Sequence, residues 1–188
     1  MNDAFPFLLI SSQFSAIIEK KNERGVVPMN VPCEIAARLI EKCAQENITV
    51  STAESCTGGL VAKLLTDVPG SSAVFLGACV TYTNDVKVNL LGVDPAIIAE
   101  HTEVSHACAK AMAEGARKRL GTTYALSTTG YAGPGGGTEK DPVGTVYIGI
   151  STPEGSFSER FSAPSDLDRM GVRQAAAIRA LEILEERI

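Results

Sequence analysis

Three polar segments hold the residue types that this chain could use for chemistry. The first follows a β-branched apolar run, contains Ser55 and ends in two glycines. The second contains Tyr82 and Lys87, and the third, residues 128–137, is rich in glycine. A serine hydroxyl activated by a neighbouring lysine amine is a workable nucleophile and base for acyl transfer. The spacing therefore predicts an acyl-transfer site, provided that the fold brings the three segments together.

Lys87 is placed unusually for a lysine. It lies about one helical turn beyond Tyr82, near the start of a helix that Asn84 is expected to cap. The helix dipole there disfavours positive charge by roughly 0.3–1 kcal/mol, and partial burial would lower the lysine pKa further. The alternative is an exposed lysine, a packed tyrosine and a serine that caps a helix. Sequence alone leaves both interpretations open.

Cys56 is the competing nucleophile, next to Ser55 in the chain. No histidine lies in the neighbouring motifs to generate a thiolate, which favours the serine. The backbone N–H groups around Thr57, Gly58 and Gly59 are expected to stabilise an oxyanion, and those of the following helical turn to face a ligand. His101 and His106 have no partners at ligand spacing, so no metal and no cofactor are expected.

The glycine-rich segment, with Gly133, Gly135 and Gly136, exposes backbone N–H groups that suit a phosphate, although a flexible loop is an equal alternative. The sequence contains no P-loop motif, and no dinucleotide fingerprint follows the first strand.

The predicted elements alternate between strands and helices. This order predicts an α/β fold, a three-layer α/β/α sandwich on a mixed, mostly parallel five-stranded sheet. The strand at 74–81 is expected to be central, and the last two strands to form an antiparallel hairpin. The predicted strands are 48–52, 74–81, 123–128, 143–151 and 157–163, and the predicted helices are 32–46, 60–66, 84–91, one from Asp94-Pro95, 105–120 and 168–188.

Composition indicates one globular domain at 31–188, preceded by an arm or extension at 1–30. The chain has 188 residues and a net charge of −5, which argues against a nucleic-acid or anionic-membrane surface. No apolar run is long enough for a membrane span, and the N-terminus makes a poor signal peptide. The five cysteines are expected to be reduced and mostly buried, so a cytoplasmic location is predicted.

Five motifs together resemble the CinA C-terminal domain family over about residues 32–188. They are Thr52–Gly59, Gly70–Ala73, Val80–Lys87, Gly130–Gly137 and Lys140–Thr145. The resemblance implies a three-layer fold without a metal, frequent homo-oligomerisation, and hydrolysis of nicotinamide mononucleotide to nicotinic acid mononucleotide and ammonia. The larger members carry an N-terminal pyrophosphatase-type domain, so this chain is expected to be the stand-alone form.

Site roles follow from the same motifs. The resemblance implies Ser55 as the nucleophile, with Tyr82 and Lys87 as proton relay and base. It places Thr129 and Gly130 at the amide end of the pocket. The remaining candidate substrate contacts are Thr57, Gly58, Gly59, Asn84, Gly133, Gly135, Gly136, Lys140 and Arg169.

The chain departs from the family pattern at Tyr131, at Thr102-Glu103, and in a longer segment before Arg169. Arg169 and Arg173 together form an R-x-x-V-R pattern. These departures leave two alternatives open. One is a mononucleotide-binding or interaction module without catalysis, and the other is an amidase for a different pyridine or nucleotide amide.

Overall fold

A computed structural model describes residues 34–188, so the expected arm at 1–30 lies outside the described residues. Within the described part, six α-helices and five strands form one α/β domain. The helices are α1 (Glu34–Gln45), α2 (Leu60–Thr66), α3 (Asn84–Leu91), α4 (Pro95–His101), α5 (His106–Leu120) and α6 (Arg169–Glu185). The strands are β1 (Val50–Glu54), β2 (Phe75–Val80), β3 (Tyr124–Gly130), β4 (Thr145–Thr152) and β5 (Gly155–Ser162).

The sheet has the strand order β2-β1-β3-β4-β5. Strand β1 pairs in parallel with both β2 and β3, because helical crossovers return the chain to the same end of the sheet. Strand β4 runs antiparallel to β3 and to β5, so the predicted hairpin is confirmed. The mixed, mostly parallel sheet is the predicted one.

Helices cover both faces of the sheet, which confirms the three-layer sandwich. On one face, apolar side chains of α1, α2 and α6 pack against alternate residues of β1, β3 and β4, such as Val50 and Leu126. On the other face, α3 and α5 pack against the intervening residues, such as Ala53 and Ala125. Successive strand residues point to opposite faces, so Ser55 continues the row of Ala53 on the α3–α5 side.

The prediction that the second strand is central was wrong, because β2 lies at the edge of the sheet. Its apolar run misled the prediction. Leu76 and Val80 are about half exposed, while Cys79 is buried against the core. An uninterrupted apolar stretch is typical of a central strand, but here only one face of the strand is covered.

Two local predictions also need correction. Strand β1 begins at Val50, two residues later than predicted, because Asn47 adopts a left-handed conformation (φ 57°) that ends the preceding turn. Helix α3 is capped by Thr83, whose hydroxyl accepts from the N–H of Val86, while Asn84 is its first residue. The predicted helix starts at Asp94-Pro95 and at 105 are confirmed, because Asp94 caps α4 and Ser105 caps α5.

The described cysteines, at positions 43, 56, 79 and 108, are free and buried, as expected of reduced thiols. In residues 34–188, every helix is too short or too polar to cross a membrane.

Candidate active site

Ser55 lies at the carboxyl edge of the sheet, directly after β1. Its N–H donates to the carbonyl of Thr128 in β3 (2.9 Å), and the N–H of Thr81, after β2, donates to the carbonyl of Glu54 (2.8 Å). The sheet ladder therefore continues to the residues on either side of the serine. This is the crevice in which open α/β sheets bind ligands.

Lys87 is the side chain that meets Ser55. Its Nζ lies 3.3 Å from Ser55 Oγ and donates to the carbonyl of Thr81 at 3.1 Å. Only 1% of the lysine is exposed, although it sits in the first turn of a polar helix. The alternative of an exposed lysine is wrong.

Burial lowers the pKa of Lys87, because a cation loses hydration in this position. Cys108, Glu103 and Cys56 act in the opposite direction and raise the pKa, but the effect of burial is larger. A neutral amine keeps its bond to the Thr81 carbonyl and offers a lone pair to the hydroxyl of Ser55. The contact between the two side chains then runs from serine to lysine, as a nucleophile and its base require.

Cys56 is unsuited to compete as a nucleophile. Burial raises the pKa of its thiol to about 12, so the reactive thiolate is scarce near neutral pH. The side chain is 6% exposed and belongs to the apolar cluster beneath α6. Ser55 therefore has an amine beside its hydroxyl, whereas Cys56 packs in the apolar cluster.

Glu54 occupies the start of α2, where the sequence predicted free N–H groups facing a ligand. The fully buried carboxylate accepts from the N–H groups of Gly59, Val61 and Ala62 and from the Thr57 hydroxyl, at 2.7 to 3.1 Å. That prediction was wrong for this helical turn. Its N–H groups hold an internal anion, which the helix N-terminus stabilises.

The turn after Ser55 uses its glycine N–H groups internally as well. Gly58 donates to the carbonyl of Ser55 (3.2 Å), while Gly59 donates to Glu54. Both glycines have positive φ, 61° and 93°, which favours glycine. Of the N–H groups at 57–59, only that of Thr57 donates to no oxygen atom within the described part of the chain. It is the available oxyanion donor of that set.

Arg173 of α6 contacts the same turn from the opposite side. Its Nε donates to the carbonyl of Cys56 (3.1 Å), and one terminal nitrogen donates to the carbonyl of Thr57 (2.6 Å). The carboxylate of Glu54 holds N–H groups of the turn, and this guanidinium holds its carbonyls. Sequence reasoning missed the role of both residues.

Tyr82 stands at the mouth of the crevice and is 58% exposed. Its hydroxyl accepts from Arg169 (2.9 Å), which also donates to the carbonyl of Gly133 (2.5 Å). Arg169 thus links the segment after β2 to the glycine segment after β3. The hydrogen bonds of Ser55 and Lys87 do not involve Tyr82, so its role as a proton relay stays a prediction.

Thr129 and Gly130 end β3 beside Ser55. The buried Thr129 hydroxyl donates to the carbonyl of Glu103 (2.7 Å). A side chain on Gly130 would lie 2.4 Å from the carbonyl oxygen of Thr145, so the close packing against β4 requires glycine. The bond between Thr129 and Glu103 fixes the loop before α5. The charge of Glu103 partly offsets the lowering of the Lys87 pKa by burial.

The glycine segment is exposed at its tip and fastened at its base. Gly135, Gly136 and Lys140 are exposed, as is Asn84 across the crevice. At the base, Asp141 accepts from Tyr147 (3.0 Å) and from Arg160 (2.9 Å), which joins the loop to the β4–β5 hairpin.

One sequence signal pointed to Glu54: an acidic residue at the end of a buried strand, immediately before a helix start. No local signal pointed to Arg173, which lies 117 residues after Cys56. In residues 34–188, no group of three or more His, Cys, Asp or Glu side chains is placed to hold a metal ion.

Comparison with known proteins finds relatives named CinA-like proteins. A "CinA-like protein" of Myxococcus xanthus is 51% identical over 154 residues, covering 81% of this chain and 36% of the relative. Another of Synechocystis is 50% identical over 141 residues. The chain spans about a third of the length of the curated relatives it matches.

Solved structures share the fold. The competence/damage inducible protein CihA of Agrobacterium tumefaciens is 40% identical with a TM-score of 0.79, covering 84% of this chain and 94% of the other. The CinA superfamily protein ECK1530/EC0983 of Escherichia coli has a TM-score of 0.79 at 26% identity, covering 87% and 94%. The family model of the CinA C-terminal domain matches residues 33–188, and the chain belongs to that family.

Proposed function

We propose that the domain is an amidohydrolase that converts nicotinamide mononucleotide to nicotinic acid mononucleotide and ammonia. The observation that carries the proposal is the buried pair of Ser55 Oγ and Lys87 Nζ, 3.3 Å apart at the carboxyl edge of the sheet. A lysine whose pKa burial lowers, next to a hydroxyl, is an arrangement for acyl transfer. The family resemblance supplies the substrate.

Acylation begins when neutral Lys87 accepts the proton of Ser55 Oγ while that oxygen attacks the carboxamide carbon. The carbonyl oxygen becomes an oxyanion, which the Thr57 N–H is available to stabilise. The carbon–nitrogen bond then breaks, and the ammonium of Lys87 returns its proton to the departing amide nitrogen. Ammonia leaves, and the nicotinoyl group remains as an ester on Ser55.

Deacylation repeats the same steps with water. Neutral Lys87 takes a proton from water, whose oxygen attacks the ester carbon, and the bond to Ser55 Oγ breaks. Lys87 returns the proton to the serine oxygen, and the product acid leaves as the carboxylate after giving its remaining proton to solvent. Tyr82, exposed at the mouth of the crevice, is proposed to assist proton transfer or to contact the pyridine ring of the substrate. Because Lys87 contacts Ser55 directly, proton transfer from the serine does not require Tyr82.

The substrate contacts are proposed around this pair. Thr129 and Gly130 line the amide end, and the N–H of Thr57 forms the oxyanion side, since Gly58 and Gly59 donate within the turn. Arg169 and the exposed Lys140 are the cations at the glycine segment, where Gly133, Gly135 and Gly136 lie, and are the candidates for the phosphate. Asn84 is exposed on the opposite wall.

Ammonia release tests the proposal, measured with nicotinamide mononucleotide, nicotinamide, the riboside and NAD. Activity on the mononucleotide supports it, and activity on nicotinamide alone contradicts it. Binding of the mononucleotide without ammonia release would favour the alternative of a catalytically silent module. Release from another pyridine or nucleotide amide would favour the second alternative.

A cytoplasmic homo-oligomer with a small-molecule substrate, and without nucleic-acid or membrane partners, remains the expectation.

A further inference from the structure

Arg173 binds the turn that carries Ser55 without belonging to the Ser–Lys pair. It lies one helical turn after Arg169, so both arginines project from the same side of α6. Its guanidinium is half-buried and donates to two successive carbonyls, those of Cys56 (3.1 Å) and Thr57 (2.6 Å). No carboxylate pairs with it within the described residues: two of its nitrogens donate to the backbone, and the third contacts Met170 Sδ at 4.0 Å.

Peptide geometry gives these two bonds a consequence. In a trans peptide the carbonyl oxygen and the following N–H point in opposite directions. The carbonyl of Cys56 points to Arg173, so the N–H of Thr57 points away from α6. The carbonyl of Thr57 is also held, so the peptide on each side of Thr57 has a fixed orientation.

Glu54 completes the support of the turn. Its carboxylate holds the Thr57 hydroxyl and the N–H of Gly59, while Arg173 holds the carbonyls. The negative carboxylate therefore binds hydrogen-bond donors of the turn, and the positive guanidinium binds its acceptors. The fit around Arg173 is close, because a side chain on Gly58 would lie 3.2 Å from one of its nitrogens.

We propose that Arg173 is a positioning residue that fixes the Ser55 turn, keeping Ser55 Oγ in reach of Lys87 Nζ and the Thr57 N–H directed away from α6. The inference rests on the proposed function. Misplacement of reacting groups by about 1 Å costs about 100-fold in rate, whereas a contact that only binds substrate changes KM.

The first experiment compares Arg173→Ala and Arg173→Lys with the wild type in ammonia release from nicotinamide mononucleotide. For Arg173→Ala we expect kcat to fall about 100-fold, with KM within about threefold. The pH of the rising limb should not move, because Lys87 is unchanged. Lysine reaches one carbonyl rather than two, so Arg173→Lys should lose about 10-fold in kcat.

Chemical rescue adds a readout that a purely structural role does not predict. Guanidinium chloride at non-denaturing concentration should restore kcat of Arg173→Ala about 10-fold, and methylammonium chloride at equal concentration should not, since only guanidinium presents a planar fork of donors. The wild type is the control and should gain nothing from either salt. A kcat of either variant within threefold of wild type, or a rise of KM at constant kcat, overturns the proposal.

A substrate-independent measurement separates this inference from the proposed function. A fluorophosphonate probe labels an activated serine when Ser55 Oγ displaces fluoride, and intact-protein mass spectrometry follows the rate. We expect labelling of the wild type, none of Ser55→Ala, and about 100-fold slower labelling of Arg173→Ala. If the wild type is labelled but releases no ammonia, the proposed substrate is wrong, and the labelling rates alone decide the role of Arg173. Equal labelling rates in the wild type and both Arg173 variants would overturn the positioning role of Arg173.

Discussion

Lys87 Nζ lies 3.3 Å from Ser55 Oγ although the two residues are 32 positions apart and belong to different elements. The serine directly follows β1 and lies on the face of the sheet that α3 and α5 cover. The lysine belongs to the first turn of α3. Both are buried, at 9% and 1% exposure. Among residues 34–188 no carboxylate is in hydrogen-bond contact with Lys87, and burial of such a lysine is costly, which supports the proposal that it acts on the hydroxyl.

Ser55→Ala should abolish ammonia release and keep affinity for the mononucleotide, because it removes one oxygen and leaves the crevice intact. Isothermal titration and an ammonia assay measure the two properties. The matched variant is Cys56→Ala, which should keep most of the activity since the thiol pKa is raised to about 12. An inactive but folded Cys56→Ala protein, with an active Ser55→Ala protein, would reverse the two assignments.

Lys87 should set the rising limb of the pH profile below the ordinary lysine pKa of 10.5, because burial lowers its pKa and only the neutral amine accepts a proton. Lys87→Arg should lose at least about 100-fold in kcat, since a guanidinium keeps its proton. The measurement is kcat/KM from pH 6 to 10. Comparable rates and profiles in both proteins would remove Lys87 from the mechanism.

The same pKa shift predicts how stability depends on pH. Between the lowered folded pKa of Lys87 and 10.5, the unfolded state binds more protons, so stability conferred at this position rises with pH. Lys87→Met should therefore be more stable than wild type at pH 7. Thermal unfolding at several pH values should show this advantage shrinking as pH approaches 10.5. A constant difference across the range contradicts the lowered pKa.

Glu103 should tune the base. Burial lowers the pKa of Lys87, and the charge of Glu103, together with Cys108 and Cys56, partly offsets that lowering. Glu103→Gln should therefore move the rising limb of kcat/KM to lower pH. Glu100→Gln, an exposed position on α4, is the control and should leave the limb in place. An identical limb in Glu103→Gln and wild type would show that this carboxylate does not act on Lys87.

Glu54→Gln should lower the free energy of unfolding by about 2 kcal/mol, because a neutral amide replaces a carboxylate that accepts from the N–H of Gly59 and from two N–H groups of the first turn of α2. Urea denaturation measures the difference. Asp85→Asn, on the exposed side of α3, should change it by less than about 0.5 kcal/mol. Equal losses in the two variants would mean that Glu54 is not the anchor of the helix start.

The sequence permitted the prediction of Ser55 and Lys87 for a physical reason: parallel strands end at one edge, and a lysine in the first turn of a helix is anomalous. It did not permit the prediction of Arg173, because a contact between α6 and a turn 117 residues earlier leaves no local pattern. The position of β2 also escaped prediction. Its apolar residues satisfy the pattern of a central strand, while Leu76 and Val80 in fact face outward at the edge.

The central claim is that Ser55 forms an acyl-enzyme with the nicotinoyl group, with Lys87 as base. Its most direct test is rapid acid quench of the wild type with nicotinamide mononucleotide, followed by peptide mass spectrometry and quantification of ammonia. The account predicts ammonia release together with a nicotinoyl-mononucleotide ester on Ser55, and neither product in Ser55→Ala. Ammonia release at the wild-type rate by Ser55→Ala, or a thioester on Cys56, would contradict it.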